Sequence, residues 1–415
     1  MGNRLKKNVP VLRFPQFEGD WQSKYLEQIG EFKNGFNADK QAFGSGVEFI
    51  NLMDIFGKSE IQKTHLERVE IPERQLEQYK IQKGDVLFVR SSVKREGVGQ
   101  SCLVNDDFEN TVYSGFIIRF REKSTILSHL YKKYCFAESS FRKEILSFAT
   151  SSANTNINQD SLSQIILFYP SIAEQEKIAS FLGAVDTRIT QLRRKHELLQ
   201  TYKRGVMQKI FSQQIRFKCN DGKLFPDWEE TTLEDVASYR RGSFPQPYGL
   251  DKWYDDIYGE PFVQVYDVDD NLQLKSSTKR KISKEAIPFS VFVEKGSVIL
   301  TIQGSIGRIA ITQFDCYVDR TLLIFRSFLK PINKYFFIHI VLLLFEKEKE
   351  KAPGGTIKTI TKESLSSFNL MLPCIEEQEK IAEFLMAIDK KIEAVAKQIE
   401  LTEQFKKGLL QKMFV

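Results

Sequence analysis

Apolar residues recur every seven positions in two stretches of the chain. In the first, Ile178, Val185, Leu192, Leu199 and Val206 are seven apart, and Leu182, Ile189 and Ile210 fall four residues after three of them. In the second the series is Ile381, Ile388, Val395, Thr402 and Leu409, joined by Leu385, Ile392, Ile399 and Met413. A near-heptad seam kept up for about five heptads predicts a long helix with one apolar stripe, the pattern of a coiled coil. His196 and Lys203 interrupt the first seam, and Thr402 and Lys406 the second. A few polar seam positions fix register at some cost in stability. Each helix is roughly 60 Å long at 1.5 Å per residue, and a rod with one apolar stripe needs a partner. The natural partner of each stretch is the other. The alternative is two separate core helices, each inside its own globular domain.

The two stretches are also copies. Residues 173–211 align with residues 376–414 at an offset of 203 without a gap, and 18 of the 39 positions are identical. A period this long, with two copies, excludes a solenoid and points to a duplicated unit with internal pseudo-two-fold symmetry. The flanks repeat more loosely. Phe14-Pro15 with Trp21, Leu26 and Gly35 parallels Phe225-Pro226 with Trp228, Leu233 and Gly242, with Trp-to-Leu and Trp-to-Gly spacings of five and fourteen in both. KGDVLFVRSS (83–92) parallels KGSVILTIQG (295–304), VYSGFIIRF (112–120) parallels YVDRTLLIFR (317–326), and NTNINQDSL (154–162) parallels TIKTITKESL (356–365).

Within each variable part, short β-branched and aromatic runs alternate with Gly- and Asp-rich turns: VEFINL, DVLFV, GFIIRF, EPFVQVYDV, SVILTI and TLLIFR. Each part also has one helical run, LSHLYKKYCFAESSFRKEIL and NKYFFIHIVLLLFEKEKEK. Many strands with few helices predict an α+β fold. Pro170 and Pro373, at the same offset, mark the entries to the long helices. The organisation expected is domain 1–171, helix 172–212, domain 213–373 and helix 374–415.

Composition narrows the class. Of 415 residues, 42% are apolar and 27% charged, with 33 Phe and 14 Tyr, so there is ample core material. Five scattered Cys and four His show neither a C-x-x-C pair nor a zinc spacing, which fits a reduced, cytoplasmic protein without a metal or other cofactor. The N-terminus lacks the apolar region of a signal peptide and the Ser/Thr of a myristoylation motif. The longest apolar run, Tyr335 to Phe345, is too short to cross a bilayer and predicts a buried core helix, so no membrane association is expected. A net charge of +6 permits nucleic-acid binding without establishing it.

Each variable domain is followed by a near-identical helix, EQEKIASFLGAVD (174–186) and EQEKIAEFLMAID (377–389) with the closing KRGVMQKIF and KKGLLQKMF. With these motifs the whole chain resembles the specificity subunit of a type I restriction-modification system. The resemblance implies two target-recognition domains in pseudo-two-fold arrangement, joined by two long antiparallel coiled-coil helices. Each domain would read one half of a split site on double-stranded DNA, and the helices would space the halves. Two modification (methyltransferase) subunits would dock on this frame and methylate an adenine in each half, and restriction (motor-nuclease) subunits would join them. The subunit itself would hold no active site. The residues agree independently. Tandem units related by a two-fold axis meet opposite strand polarities of a duplex, and rigid helices hold readers in register where a flexible linker does not.

Candidate DNA contacts lie in Gly-rich basic segments. In the first domain these are Arg90, Ser91, Ser92, Lys94, Arg95 and Gln100, with Asn154 and Asn156 in the stretch Ser151–Asn158. In the second they are Arg240, Arg241, Gln303, Ser305 and Arg308, with Thr356 and Lys358 in Gly354–Thr361. Gly lets backbone N–H groups approach phosphate, and Arg or Gln pairs bidentately with guanine or adenine edges. Hairpin turns with solvated charges are the plainer alternative. No G-x-x-x-x-G-K-[ST] loop and no Pro-Pro-Tyr/Phe methyltransferase pattern is present, so an enzyme is not expected. A coiled-coil scaffold for protein partners, without DNA binding, is the competing reading. Salt-dependent binding to duplex DNA separates the two.

Overall fold

The structure is a computed structural model and describes residues 8–61, 63, 65–151, 154–351 and 365–415. Its longer helices among the described residues are α1 (Ser139–Phe148), α2 (Ile172–Phe211), α3 (Lys334–Lys351) and α4 (Ile375–Lys412). The chain divides into two compact units, Met1–Lys195 with Val395–Val415, and His196–Ala394. Each unit therefore joins a mixed α+β body to the first part of one long helix and the last part of the other.

The first unit is built on a four-stranded antiparallel sheet in the order Gly30–Asn34, Ile117–Glu122, Val86–Val89, Ser101–Leu103. The run VLFV is buried at every position, as an unbroken apolar strand at the centre of a sheet should be. A second sheet pairs Glu67–Val69 with Phe43–Ile50, and Phe43–Ile50 runs parallel to Val112–Tyr113. The second unit repeats the plan. Ala237–Arg241, Leu322–Phe328, Val298–Thr301 and Ile309–Ile311 form one sheet, and Glu260–Val263 runs parallel to Cys316–Val318 in the other. A two-stranded clasp closes each body before its helix, Gln22–Tyr25 with Ile166–Tyr169 and Glu229–Thr232 with Asn369–Leu372.

Two differences from the sequence expectation have local causes. The run at 127–146 does not make one helix. It breaks at Glu138, whose carboxylate accepts from the backbone N–H groups of Ser140 (2.6 Å) and Phe141 and so starts α1 afresh. The runs VEFINL and EPFVQVYDV both stop being strand earlier than their β-branched content suggests, at Ile50 and Val263.

The seam residues pack as their period requires. Ile178, Leu182, Val185, Ile189 and Leu192 of α2 are buried in the first unit, with Val395, Leu409 and Met413 of α4. Ile381, Leu385 and Ile388 of α4 are buried in the second, with Ile210 of α2. The helices are antiparallel in each unit. In the first, Asp186 meets Lys406 (2.6 Å) and Arg193 meets Glu403 (2.6 Å), so numbers rise on one helix as they fall on the other. In the second, Lys203 meets Asp389 (2.6 Å). The apolar run Tyr335–Phe345 lies within α3, where Phe336, Phe337, Ile338, Val341 and Phe345 are core. No helix among the described residues is long and apolar enough to cross a membrane.

Candidate nucleic-acid interface

A surface that reads DNA must hold its side chains on a rigid base, and each body is locked to its helix in the same way. Arg13 pairs with Glu174 (2.7 Å), and Arg216, 203 residues on, pairs with Glu377 (2.8 Å). Glu174 and Glu377 are buried, and the hydrogen bond to the carboxylate raises each guanidinium further above its ordinary value. The buried carboxamide of Gln175 donates to the carbonyl oxygens of Pro170 (2.9 Å) and Ile126 (2.7 Å), and Gln378 does the same with Pro373 (2.9 Å) and Pro331 (3.2 Å). Phe14 packs edge-on against Phe181, and Phe217 against Phe384, so the counterpart of Phe14 is Phe217 and not Phe225 as the sequence parallel had it.

The seam lysines close the equivalence. Asp186 accepts from Lys133, Lys406 and the hydroxyl of Tyr134. Asp389 accepts from Lys203 and the hydroxyl of Tyr335, 2.5 Å away, with His339 at 3.7 Å. Burial works against both carboxylates, but their hydrogen bonds outweigh it. Asp186 is held below its ordinary value, and Asp389 falls to about 2. Burial lowers the imidazole of His339.

The sequence candidates gather at one end of each main sheet. In the first unit the hairpin that leaves Val89 carries Arg90 to Gln100. The Arg90 guanidinium donates to the Gly115 carbonyl (3.1 Å), Ser91 is paired with Asn156, and Ser92 with Thr155. Lys94 and Arg95 are exposed, and Arg95 reaches the Leu146 carbonyl (3.2 Å). Asn154 is exposed beside this strand. Gln100 ties the hairpin down instead, accepting from the Gly57 N–H (3.0 Å) and donating to the Glu96 carbonyl (3.2 Å). Gly99 closes the hairpin at φ +64, and a Cβ there would meet Ile145 at 2.4 Å. Gly307 does the same in the second unit, at φ +89 and against Phe345.

In the second unit Arg240 and Arg241 are exposed at the end of an edge strand, and Gln303 is exposed just past Thr301 at the same end of the sheet. The Ser305 carbonyl accepts from the Thr301 hydroxyl (2.6 Å). Arg308 pairs with the exposed Asp270 (2.9 Å), which partly offsets its charge. Thr356 and Lys358 lie outside the described residues. Among the described residues no group of three or more His, Cys, Asp or Glu is placed to hold a metal ion.

Sequence reading missed a pair of side chains that follow equivalent strands of the second sheets, Asn51 after Phe43–Ile50 and Gln264 after Glu260–Val263. The available signal was the paired text NLMD (51–54) and QVYD (264–267) after equivalent strands. It also passed over exposed apolar pairs on the long helices, Leu198 with Tyr202 and, 203 residues on, Leu401 with Phe405.

Comparison with known proteins adds the following. The family model for the type I restriction modification DNA specificity domain matches twice, over residues 18–200 and 226–403. A Methanocaldococcus jannaschii chain provisionally named the type I restriction enzyme MjaX specificity subunit is 25% identical over 417 residues, covering 98% of this chain and 95% of that one. The type I restriction enzyme EcoBI specificity subunit of Escherichia coli is 28% identical over 273 residues, covering 59% and 56%. Among solved structures, the S subunit of a type I restriction-modification system from M. genitalium aligns over 98% of this chain and 99% of its own, with a TM-score of 0.56 at 14% identity. A chain from work on complex assembly and conformational transition of the type I system aligns over 95% and 97%, with a TM-score of 0.62 at 18% identity. At such identities the structural likeness is one of fold.

Proposed function

Because the chain belongs to the family of type I restriction-modification DNA specificity domains, we propose that it is the sequence-specific DNA-recognition subunit of a type I restriction-modification complex, without catalysis of its own. Residues 1–171 and 213–373 each read one half of a bipartite target on double-stranded DNA. The helices at 172–212 and 374–415 set the distance between the halves and dock two modification subunits, to which restriction subunits add.

The observation that carries this reading is the repeat of one construction at an offset of 203, from the clamp Arg13–Glu174 and Arg216–Glu377 to the pairs Asp186–Lys406 and Asp389–Lys203. Two like readers suit a target in two halves, because a duplex offers matching two-fold symmetry. The exposed pairs Leu198/Tyr202 and Leu401/Phe405 support the docking of two copies of one partner. Each pair is spaced by four on a helix and so forms one small apolar surface, and the two surfaces are equivalent.

The test is to replace residues 1–171 with the matching domain of a relative, assemble the chain with its modification subunits, and map methylated adenines across a host genome. One half of the methylated sequence should change and the other should stay. A change in both halves contradicts modular reading. A wild-type chain whose binding to duplex DNA shows no salt dependence contradicts phosphate contact altogether and favours a protein scaffold.

A further inference from the structure

The strand Phe43–Ile50 ends in Asn51-Leu52-Met53-Asp54, and Glu260–Val263 ends in Gln264-Val265-Tyr266-Asp267. The two sites are the same site. Both strands run parallel to a neighbour, and the carbonyl of the last strand residue accepts the next backbone N–H on it: Ser114 to Ile50 (2.9 Å) and Asp319 to Val263 (3.0 Å). In both, the backbone N–H of the carboxamide residue donates to the aspartate three residues on, Asp54 (2.7 Å) or Asp267 (2.9 Å). The backbone closes this turn as well, the Asp54 N–H donating to the Asn51 carbonyl (3.0 Å) and the Asp267 N–H to the Gln264 carbonyl (2.9 Å).

Each carboxamide is steadied by a side chain. Asn51 Nδ2 donates to Glu67. Gln264 Nε2 donates to the Tyr248 hydroxyl (2.6 Å), and its Oε1 accepts from the Tyr266 hydroxyl. The supports differ completely between the domains, while the group they support is the same. A primary amide has two N–H donors and two acceptor lone pairs. After these bonds each still has one N–H and at least one lone pair to offer, on a head already oriented. Both side chains are half-buried, and each is followed two residues later by a large exposed apolar residue, Met53 (72% exposed) or Tyr266 (37%). The turn beside each holds Gly115–Phe116 with the Arg90 guanidinium in the first domain, and the exposed Arg320 in the second.

An N–H and a carbonyl oxygen side by side on one planar group match the edge of adenine, which offers N7 as acceptor and N6 as donor. Pre-orientation lowers the entropy lost on pairing. We infer that Asn51 and Gln264 are specificity-determining residues, each pairing with one adenine edge in the half-site its own domain meets, with Met53 and Tyr266 against the neighbouring base. This rests on the proposed reading of a bipartite DNA target and names two of the groups that perform it.

The test uses the full chain assembled with its modification subunits, with methylated adenines mapped genome-wide. In one variant Asn51→Asp is combined with Glu67→Gln, so that carboxylate and amide change places and their hydrogen bond survives. A carboxylate accepts from cytosine N4. One base pair of one half-site should therefore shift from adenine towards cytosine by about 5- to 150-fold, the other half being unchanged. Gln264→Ala should relax one base pair of the other half, since Tyr248 keeps its bond to Asp319 (2.6 Å) and the turn keeps its backbone bonds. Unaltered base preference at both halves overturns the inference alone, as does a uniform loss of methylation with an unchanged target. A wild-type complex that methylates no two-part site overturns it together with the proposed function.

Discussion

Asp389 is the most demanding test of how the second body is fastened to its helices. Its carboxylate accepts from Lys203 of α2 and from the Tyr335 hydroxyl of α3, and its side chain is 26% exposed. Burial alone would raise it, yet its partners bring it down from 3.8 to about 2. A difference of nearly two units corresponds to about 2 kcal/mol in favour of the ionised form. A carboxyl lowered in the folded state stabilises it fully above its unfolded value, and the contribution is lost as pH falls through 3.8 towards 2. Asp389→Asn keeps the shape and removes the charge. Urea unfolding followed by tryptophan fluorescence should show the variant less stable by about 2 kcal/mol between pH 5 and 7. The gap should narrow below about pH 4, where the carboxyl of the unfolded chain begins to take up a proton while the folded one stays ionised. Adding Lys203→Met should cost about 1 kcal/mol less than the sum of the single changes, because the two share one interaction. A gap under about 0.5 kcal/mol at pH 7, or one that stays constant as pH falls to 3, would refute this account of the pair.

Four further outcomes are expected. Burial holds His339 below its ordinary 6.5, so its folded form resists protonation and the second unit should lose stability as pH falls below that value; His339→Gln should flatten the slope of unfolding free energy between pH 6.5 and 5. Gly242→Ala places a Cβ 2.2 Å from the Val318 carbonyl oxygen and should cost about 1–3 kcal/mol in urea titrations, and Gly35→Ala should do likewise against Ser114. Inserting four residues, about one turn, into either long helix should alter the gap between methylated half-sites and leave the half-site sequences intact, as read by methylation mapping. Tyr202→Ser with Phe405→Ser should weaken assembly with modification subunits in size-exclusion titrations while the melting curve stays within about 2 °C of wild type, as for exposed substitutions.

The architecture was legible because long helices advertise themselves. A seam of period seven and a gapless repeat are statements about many residues at once, and the buried set Ile178, Leu182, Val185, Ile381, Leu385 and Ile388 follows from them directly. The sheet strands Val86–Val89, Val298–Thr301 and Leu322–Phe328 were legible for a like reason, being apolar runs between turn signals. Where single side chains decide, the sequence was silent. Glu138 splits a helical run by capping its second half, and Asp54 and Asp267 end strands whose apolar pattern runs on for several residues. The candidate contacts were harder still. Arg90 and Gln100 sit ten residues apart on one hairpin, yet one lies at the sheet end and the other ties a loop, a distinction set by the Gly57 and Gly115 backbone and not by residue type. Asn51 and Gln264 became visible only when strand pairing showed that NLMD and QVYD occupy one structural position.

The seam lysines show why a polar residue stands where the heptad asks for an apolar one. A pure apolar stripe of period seven packs almost as well after a slip of one heptad, about 10 Å along the axis. For a plain core that ambiguity matters little, but for helices proposed to set a distance it would be fatal. Lys406 meets Asp186 in the first unit and Lys203 meets Asp389 in the second, all with side chains no more than 26% exposed. A slipped register would leave Lys406, Lys203 and Asp389 half-buried without an ionic partner, and Asp186 with Lys133 alone. Losing one partner of such a pair costs on the order of 3–5 kcal/mol when it is fully buried, and a good part of that here. The apolar seam thus supplies most of the attraction between the helices, and the two charge pairs supply its choice of register. That division of labour explains why the aspartate and the lysine recur in both copies, while the neighbouring seam positions Leu199 and Thr402 differ.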